Sequence, residues 1–192
     1  MKYSLNFRIW HWLNAFVVFG LLATVFLRKT FLSWRDNSAL LMQNLSEMSI
    51  DVSAEQAKIL AKSIRAGMWE WHIILGYALA FLVLYRIILF IKDSSIQIPF
   101  NELTLHKQIV KISYYIFYLV ILFMSISGLV INFYEIIGMS KSFAHDIKEV
   151  HELVYNFILV YVPLHIVGVI IADTRDEPGL ISSMINGKVI KR

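Results

Sequence analysis

Four apolar stretches fix what this chain can become. Each is close to the roughly 20 residues that a helix needs to cross a bilayer. They run from about Ile9 to Leu27, Trp69 to Ile91, Ile109 to Phe133 and Ile147 to Ala172. Arg28-Lys29 ends the first and Lys92-Asp93 the second. The chain has 192 residues and is 58% hydrophobic, above the about 45–50% typical of soluble domains. Mean hydropathy is +0.63. The expected fold is all-α: an integral membrane four-helix bundle forming a single domain over residues 1–192. The first stretch reads as a span and not a cleaved leader, because Arg28-Lys29-Thr30 follows it in place of a small-residue cleavage signal.

The connection between the first two spans is the long one. Within it, Ser53 followed by Gln56 resembles a capping box. Ala57, Leu60, Ala61, Ile64 and Met68 then recur at helical spacing, with Lys58, Lys62 and Arg65 elsewhere on the wheel. This predicts a short amphipathic surface helix, about Ser53 to Gly67, between spans one and two. The remaining loops are short, so consecutive spans are expected to pack as antiparallel neighbours. Basic residues, from Lys2 and Arg8 to Lys191 and Arg192, slightly favour both termini in the cytoplasm. The formal charge of +4 reflects these flanking residues and points to lipid contact, not to nucleic acid. There is no cysteine. That excludes disulfides, iron–sulfur ligation, thiolate-bound zinc and covalent c-type haem.

Histidine carries the chemistry. His151 and His165 lie fourteen residues apart on the fourth span. Fourteen steps of about 100° bring them within roughly 40° of one face, and roughly 21 Å apart along the axis. One therefore sits near each surface of a hydrocarbon core about 30 Å thick. His11 and His72 each sit close to one end of another span. If the first helix starts inside, His11 is inner and His72 outer; the fourth helix runs inward, so His151 is outer and His165 inner. Depth thus pairs His11 with His165 and His72 with His151. Ionisable groups inside a bilayer are costly and face the bundle interior. A single histidine there could simply bond a carbonyl, but two depth-matched pairs suit two low-spin haems, each iron held by two imidazoles.

Small residues fit beside the ligands. Gly76 follows His72 by one turn and Ala15 follows His11 by one turn, where a porphyrin face must approach the backbone. Ser125, Ser127 and Gly128 on the third span are read as aids to close helix packing. His106 and His145 fall in predicted loops and are not counted as ligands. Trp10, Trp12, Trp69 and Trp71 cluster at span ends and read as an interfacial belt. Pro163, the only proline in a span, is expected to kink the helix before His165. Basic groups near the surfaces are candidates to neutralise haem propionates: Arg8 and Arg175 inside, Arg65 and Lys148 outside.

The segments RIWHWLNA (Arg8 to Ala15), HIILGYALAFLVLYRI (His72 to Ile87), MSISGL (Met124 to Leu129) and HELVYNFILVYVPLH (His151 to His165) resemble the bacterial cytochrome b561 family. Its relatives include the cytochrome b subunits of membrane-bound hydrogenases, formate dehydrogenases and thiosulfate reductases. The resemblance implies two b-type haems in a four-helix bundle, exchanging electrons with a quinone as substrate. It carries His11, His72, His151 and His165 over as axial ligands. The tail EPGLISSMINGKV (Glu177 to Val189) also resembles these subunits, in which an interfacial helix follows the last span. Two departures stand out. The first loop is longer than in the simplest members, and Tyr114 occupies the early third span where some members carry a histidine.

The functional reading is electron transfer across the bacterial inner membrane, linking a quinone pool to a periplasmic or membrane redox partner protein. The chain acts either as the conduit of a larger enzyme or as a stand-alone quinone oxidoreductase; a homodimer is open to both. A non-redox transporter using membrane histidines is the rival from a different class. Against it, the spans lack carboxylates in their membrane interiors, Glu70, Glu149 and Glu152 standing near span ends, and no Pro/Gly pair breaks a helix at mid-depth.

Overall fold

The computed structural model describes residues 3–92 and 100–188. Asp93, Val189, Lys2, Lys191 and Arg192, used in the sequence reading, lie outside the described residues. Among the described residues six α-helices occur: α1 (Leu5–Lys29), α2 (Trp34–Glu47), α3 (Ala54–Lys92), α4 (Leu105–Phe133), α5 (Lys141–Arg175) and α6 (Leu180–Ile185). No strand is present among the described residues. Helices α1, α3, α4 and α5 are long and apolar enough to cross a membrane. The chain is an all-α membrane bundle. Large apolar side chains such as Phe16, Phe81, Leu84, Leu119 and Leu164 point outward, as a lipid solvent permits and water does not.

The helices outrun the apolar stretches. Hydropathy marks the part of a helix that lipid covers, whereas capping decides where the helix begins. Ser140 caps α5, its Oγ accepting the Phe143 N–H at 3.2 Å. His145 therefore lies on α5 and not in a loop. It is exposed and sits 3.7 Å from Glu149, one turn on. His106 likewise belongs to the first turn of α4. Helix α5 continues through Pro163, whose missing N–H leaves the Leu159 carbonyl without its usual donor.

The first loop differs most from expectation. The helix between the first two spans is α2, at Trp34–Glu47, a segment with no buried residue. The segment Ser53 to Gly67 is not a separate surface helix. It forms the opening turns of α3, which runs without a break to Lys92. The capping box is present: Ser53 N–H donates to Gln56 Oε1 at 2.8 Å, and Gln56 N–H to Ser53 Oγ at 3.3 Å. Nothing downstream stops the helix, because no proline stands between Ala54 and Lys92 and Gly67 alone is too weak a breaker. At 39 residues, α3 is about 58 Å long. That is nearly twice the hydrocarbon thickness of about 30 Å.

Two compact units make up the chain. One is Phe16–Gly76; the other combines Met1–Ala15 with Tyr77–Arg192. In the first, Gly20 lets α1 approach α3: a Cβ there would lie 2.9 Å from Leu75 Cδ1. Trp34 of α2 is covered by cations, with Arg35, Lys58 and Lys62 at 4.9, 5.9 and 5.8 Å from its ring centre. Ala57 and Ala61 are fully buried, while Leu60 and Ile64 of the same expected face remain exposed. In the second unit, Trp10 is only 3% exposed and donates to the Leu82 carbonyl at 2.8 Å. It is a core residue, not part of an interfacial belt; Trp12, Trp69 and Trp71 stay exposed. Asn132 Nδ2 donates to the Tyr77 hydroxyl at 2.7 Å, joining α4 to α3.

The expected helix after the last span is α6. Gly179, at φ 85°, starts it, and Asp173 accepts the Ile181 N–H at 2.9 Å. Its far end is held by α1: Arg8 Nη1 donates to the Ile185 carbonyl at 3.3 Å and Trp12 Nε1 to the Met184 carbonyl at 3.2 Å.

Candidate cofactor sites

Within the second unit, α1 and α5 bring the His11 and His165 rings close together. Their ring centres are 6.3 Å apart and their planes 55° apart. Neither ring has a hydrogen-bond partner among the described residues. The separation can be tested against an iron placed between them. A metal–imidazole bond is about 2 Å, with about 1 Å more from each nitrogen to its ring centre, giving roughly 6 Å in all. The separation of the ring centres is therefore the one that two imidazoles on a single iron require.

Aromatic rings fix His165. Tyr161, one turn earlier on α5, stacks on it at 6.1 Å and 9°. Phe157 and Phe117 stack in turn on Tyr161, at 5.7 and 4.6 Å. Tyr114 of α4 presents its edge to His165 at 6.0 Å and 74°. The tyrosine that stands where some relatives carry histidine thus lies beside a candidate ligand.

His151, in the same unit, is held differently. Its Nδ1 lies 2.7 Å from Ser127 Oγ on α4. The adjacent Gly128 lies against the ring: a Cβ there would be 3.6 Å from His151 Cε1. In the other unit His72 has a matching partner, with Nδ1 2.7 Å from Thr24 Oγ1 on α1. Trp69 stacks on the His72 ring at 5.0 Å and 7°, and Arg28 lies over Trp69 at 5.3 Å. Gly76 has no protein atom within 4 Å of where a Cβ would stand.

The candidate propionate partners separate into groups. Arg8 is buried, bonds to the end of α6 and keeps its Nε without a partner. A Cβ on Gly187 would lie 2.8 Å from its Nη1. Lys148 faces Glu152 at 3.6 Å, one turn on. Arg175 closes the last turn of α5, and Arg65 sits on α3 two turns before His72.

The contacts that hold the histidine rings are not legible in the sequence. Nothing local marks Thr24 or Tyr161, and Ser127 and Gly128 have the look of packing residues. Their roles depend on the register between helices, which no single-helix pattern records. A family model described as prokaryotic cytochrome b561 matches residues 2–187. Neither the curated proteins nor the solved structures searched gave a match.

Proposed function

From the premise that this chain belongs to the prokaryotic cytochrome b561 family, and so carries electrons across a membrane on haem b, we propose that it holds two haems. One is ligated by His11 and His165, the other by His72 and His151. The single observation that carries the reading is the 6.3 Å separation of the His11 and His165 rings, which matches two imidazoles on one iron. The second pair rests on matched depth along the spans, and on the hydroxyl partner that each of its rings has. Haem, when bound, supplies a one-electron couple.

The chain's own residues do the rest. Tyr161, Phe157 and Phe117 stiffen the His165 side chain and keep water from it. Gly76 leaves room for a planar ring beside the backbone, while the space beside Gly128 is filled by the His151 imidazole. Arg8, with its unpartnered Nε, is placed to meet an anionic propionate on the His11 side. The electron donor or acceptor in the membrane is a quinone. The chain sits in the bacterial inner membrane with both termini in the cytoplasm. The turns of α3 before the membrane, with α2 against them, favour the conduit version of the function, in which a redox partner protein docks on the far side.

The test is a pyridine haemochrome assay on purified protein, followed by spectra of single variants. Two haems b per chain are expected. His11→Ala and His165→Ala should each remove the same haem, and His72→Ala and His151→Ala the other. One haem per chain, or variants that pair differently, would refute the assignment.

A further inference from the structure

Ser127 and Thr24 each have a carbonyl oxygen and an imidazole nitrogen at 2.7 Å and only one hydroxyl proton; the Met124 carbonyl lies farther from Ser127 Oγ, at 3.3 Å. Ser127 Oγ lies 2.7 Å from the Phe123 carbonyl oxygen and 2.7 Å from His151 Nδ1. Thr24 Oγ1 lies 2.7 Å from the Leu21 carbonyl oxygen and 2.7 Å from His72 Nδ1. Contacts this short between electronegative atoms each need a proton between them. A carbonyl has none to give. The hydroxyl proton therefore goes to the carbonyl, and the second proton comes from the imidazole. Both rings carry their hydrogen on Nδ1, and the hydroxyl oxygen accepts it.

We propose that Thr24 and Ser127 are positioning residues whose hydroxyls accept the Nδ1–H of His72 and His151 and so present Nε2 of each ring to haem iron. The proposal rests on the reading that these two histidines are ligands. The same device appears twice, on α1 for a ring of α3 and on α4 for a ring of α5. It is absent from His11 and His165 among the described residues. A ligating histidine that donates its other N–H to an acceptor is fixed in tautomer and rotation and becomes more basic. A more basic ligand favours ferric over ferrous iron, so the hydroxyls hold the potential of their haem down. The His11–His165 haem lacks this restraint and serves as the internal control.

The test uses the full-length protein loaded with haem, with redox titration and low-temperature EPR of the ferric state. Thr24→Val keeps the shape and removes the hydroxyl; Thr24→Ser removes a methyl and keeps the hydroxyl. Ser127→Ala removes the other hydroxyl independently, should a Thr24 variant fail to assemble. The hydroxyl role predicts that Thr24→Val and Ser127→Ala raise the midpoint potential of one haem and shift its EPR signature, while the other haem is unchanged. The expected size is up to tenfold in ferric-over-ferrous preference, about 59 mV for one electron. Thr24→Ser should match the wild type. A packing role predicts the reverse order, and that result, or an unchanged potential in both hydroxyl-free variants, overturns the proposal. If the two variants shift different haems, the hydroxyl role stands and the pairing of His72 with His151 falls. If His72→Ala and His151→Ala both retain two haems, the ligand reading itself has failed.

Discussion

Gly76 offers a clean way to ask whether a planar cofactor lies beside His72. In Gly76→Val no protein atom stands within 4 Å of the new Cβ. The cost from the protein alone is therefore small. Valine is a better helix residue than glycine by a few tenths of a kcal/mol, roughly 0.3–0.5. A porphyrin against this turn changes the sign. Forcing a branched side chain into a filled contact costs about 1–3 kcal/mol, which is about a 5- to 150-fold loss of haem affinity at that site. Gly20→Val is the matched control. There a Cβ would lie 2.9 Å from Leu75 Cδ1, so the same overpacking cost falls on the α1–α3 contact and lowers bundle stability. Haem content by pyridine haemochrome, read beside thermal unfolding in detergent, separates the two. Gly76→Val should lose one haem selectively at near-normal stability, and Gly20→Val should melt earlier. Full loading of both haems in Gly76→Val would refute the reasoning and leave this glycine with no cofactor role.

Other outcomes follow from contacts elsewhere. Gly187, at φ 77°, should not accept alanine: left-handed strain of about 1–2 kcal/mol adds to displacement of Arg8 from the end of α6. Limited proteolysis of the tail should accelerate, and Gly187→Asn should recover only the backbone share; an unchanged cleavage rate would sink the idea. Trp10→Phe should cost about 1 kcal/mol for the lost buried hydrogen bond to Leu82, read as an earlier melt with both haem spectra intact. Lys58→Glu with Lys62→Glu should slow electron exchange with a partner protein in a salt-dependent way. Because both lysines also cover Trp34, Trp34→Ala is the control. Equal slowing there, without salt dependence, would mean that α2 had moved and that docking was not affected.

Much of the frame was legible because lipid imposes it. An apolar stretch of about 20 residues has few alternatives to a helix, and a periodicity of 3.6 places His151 and His165 on one face. The Ser53–Gln56 capping box was readable because both partners are local. What escaped notice depends on contacts between helices. Helix α2 turns one half-buried face inward, but that face mixes Asn37 and Ser38 with Trp34, Leu41 and Leu45, so the apolar stripe that announces a packed helix is diluted. Trp10 has the position of an interface residue, and its burial comes from Tyr118 and Arg86 on other helices, with the Leu82 carbonyl accepting its N–H. The partnership of Thr24 with His72 spans 48 positions, and nothing near either residue signals it. The loop position given to His145 failed for a simpler reason: hydropathy falls below the threshold before the helix ends.

The unbroken run of α3 has a consequence for how this protein can vary in length. Seven residues separate Arg65 from His72 and eleven separate Ala61 from it, so all three lie within roughly 20° of one line along the helix. The turns outside the membrane and the ligand inside it are geared together. Removing one residue at Gly67 would turn everything before it by about 100°, swinging buried Ala57 and Ala61 outward while His72 kept its heading. Removing Ser49, in the turn that closes α2, shortens the chain equally and leaves that phase untouched. Insertions and deletions should therefore be tolerated in the connections on either side of α2, while from Ala54 onward the helix should accept only changes that restore whole turns.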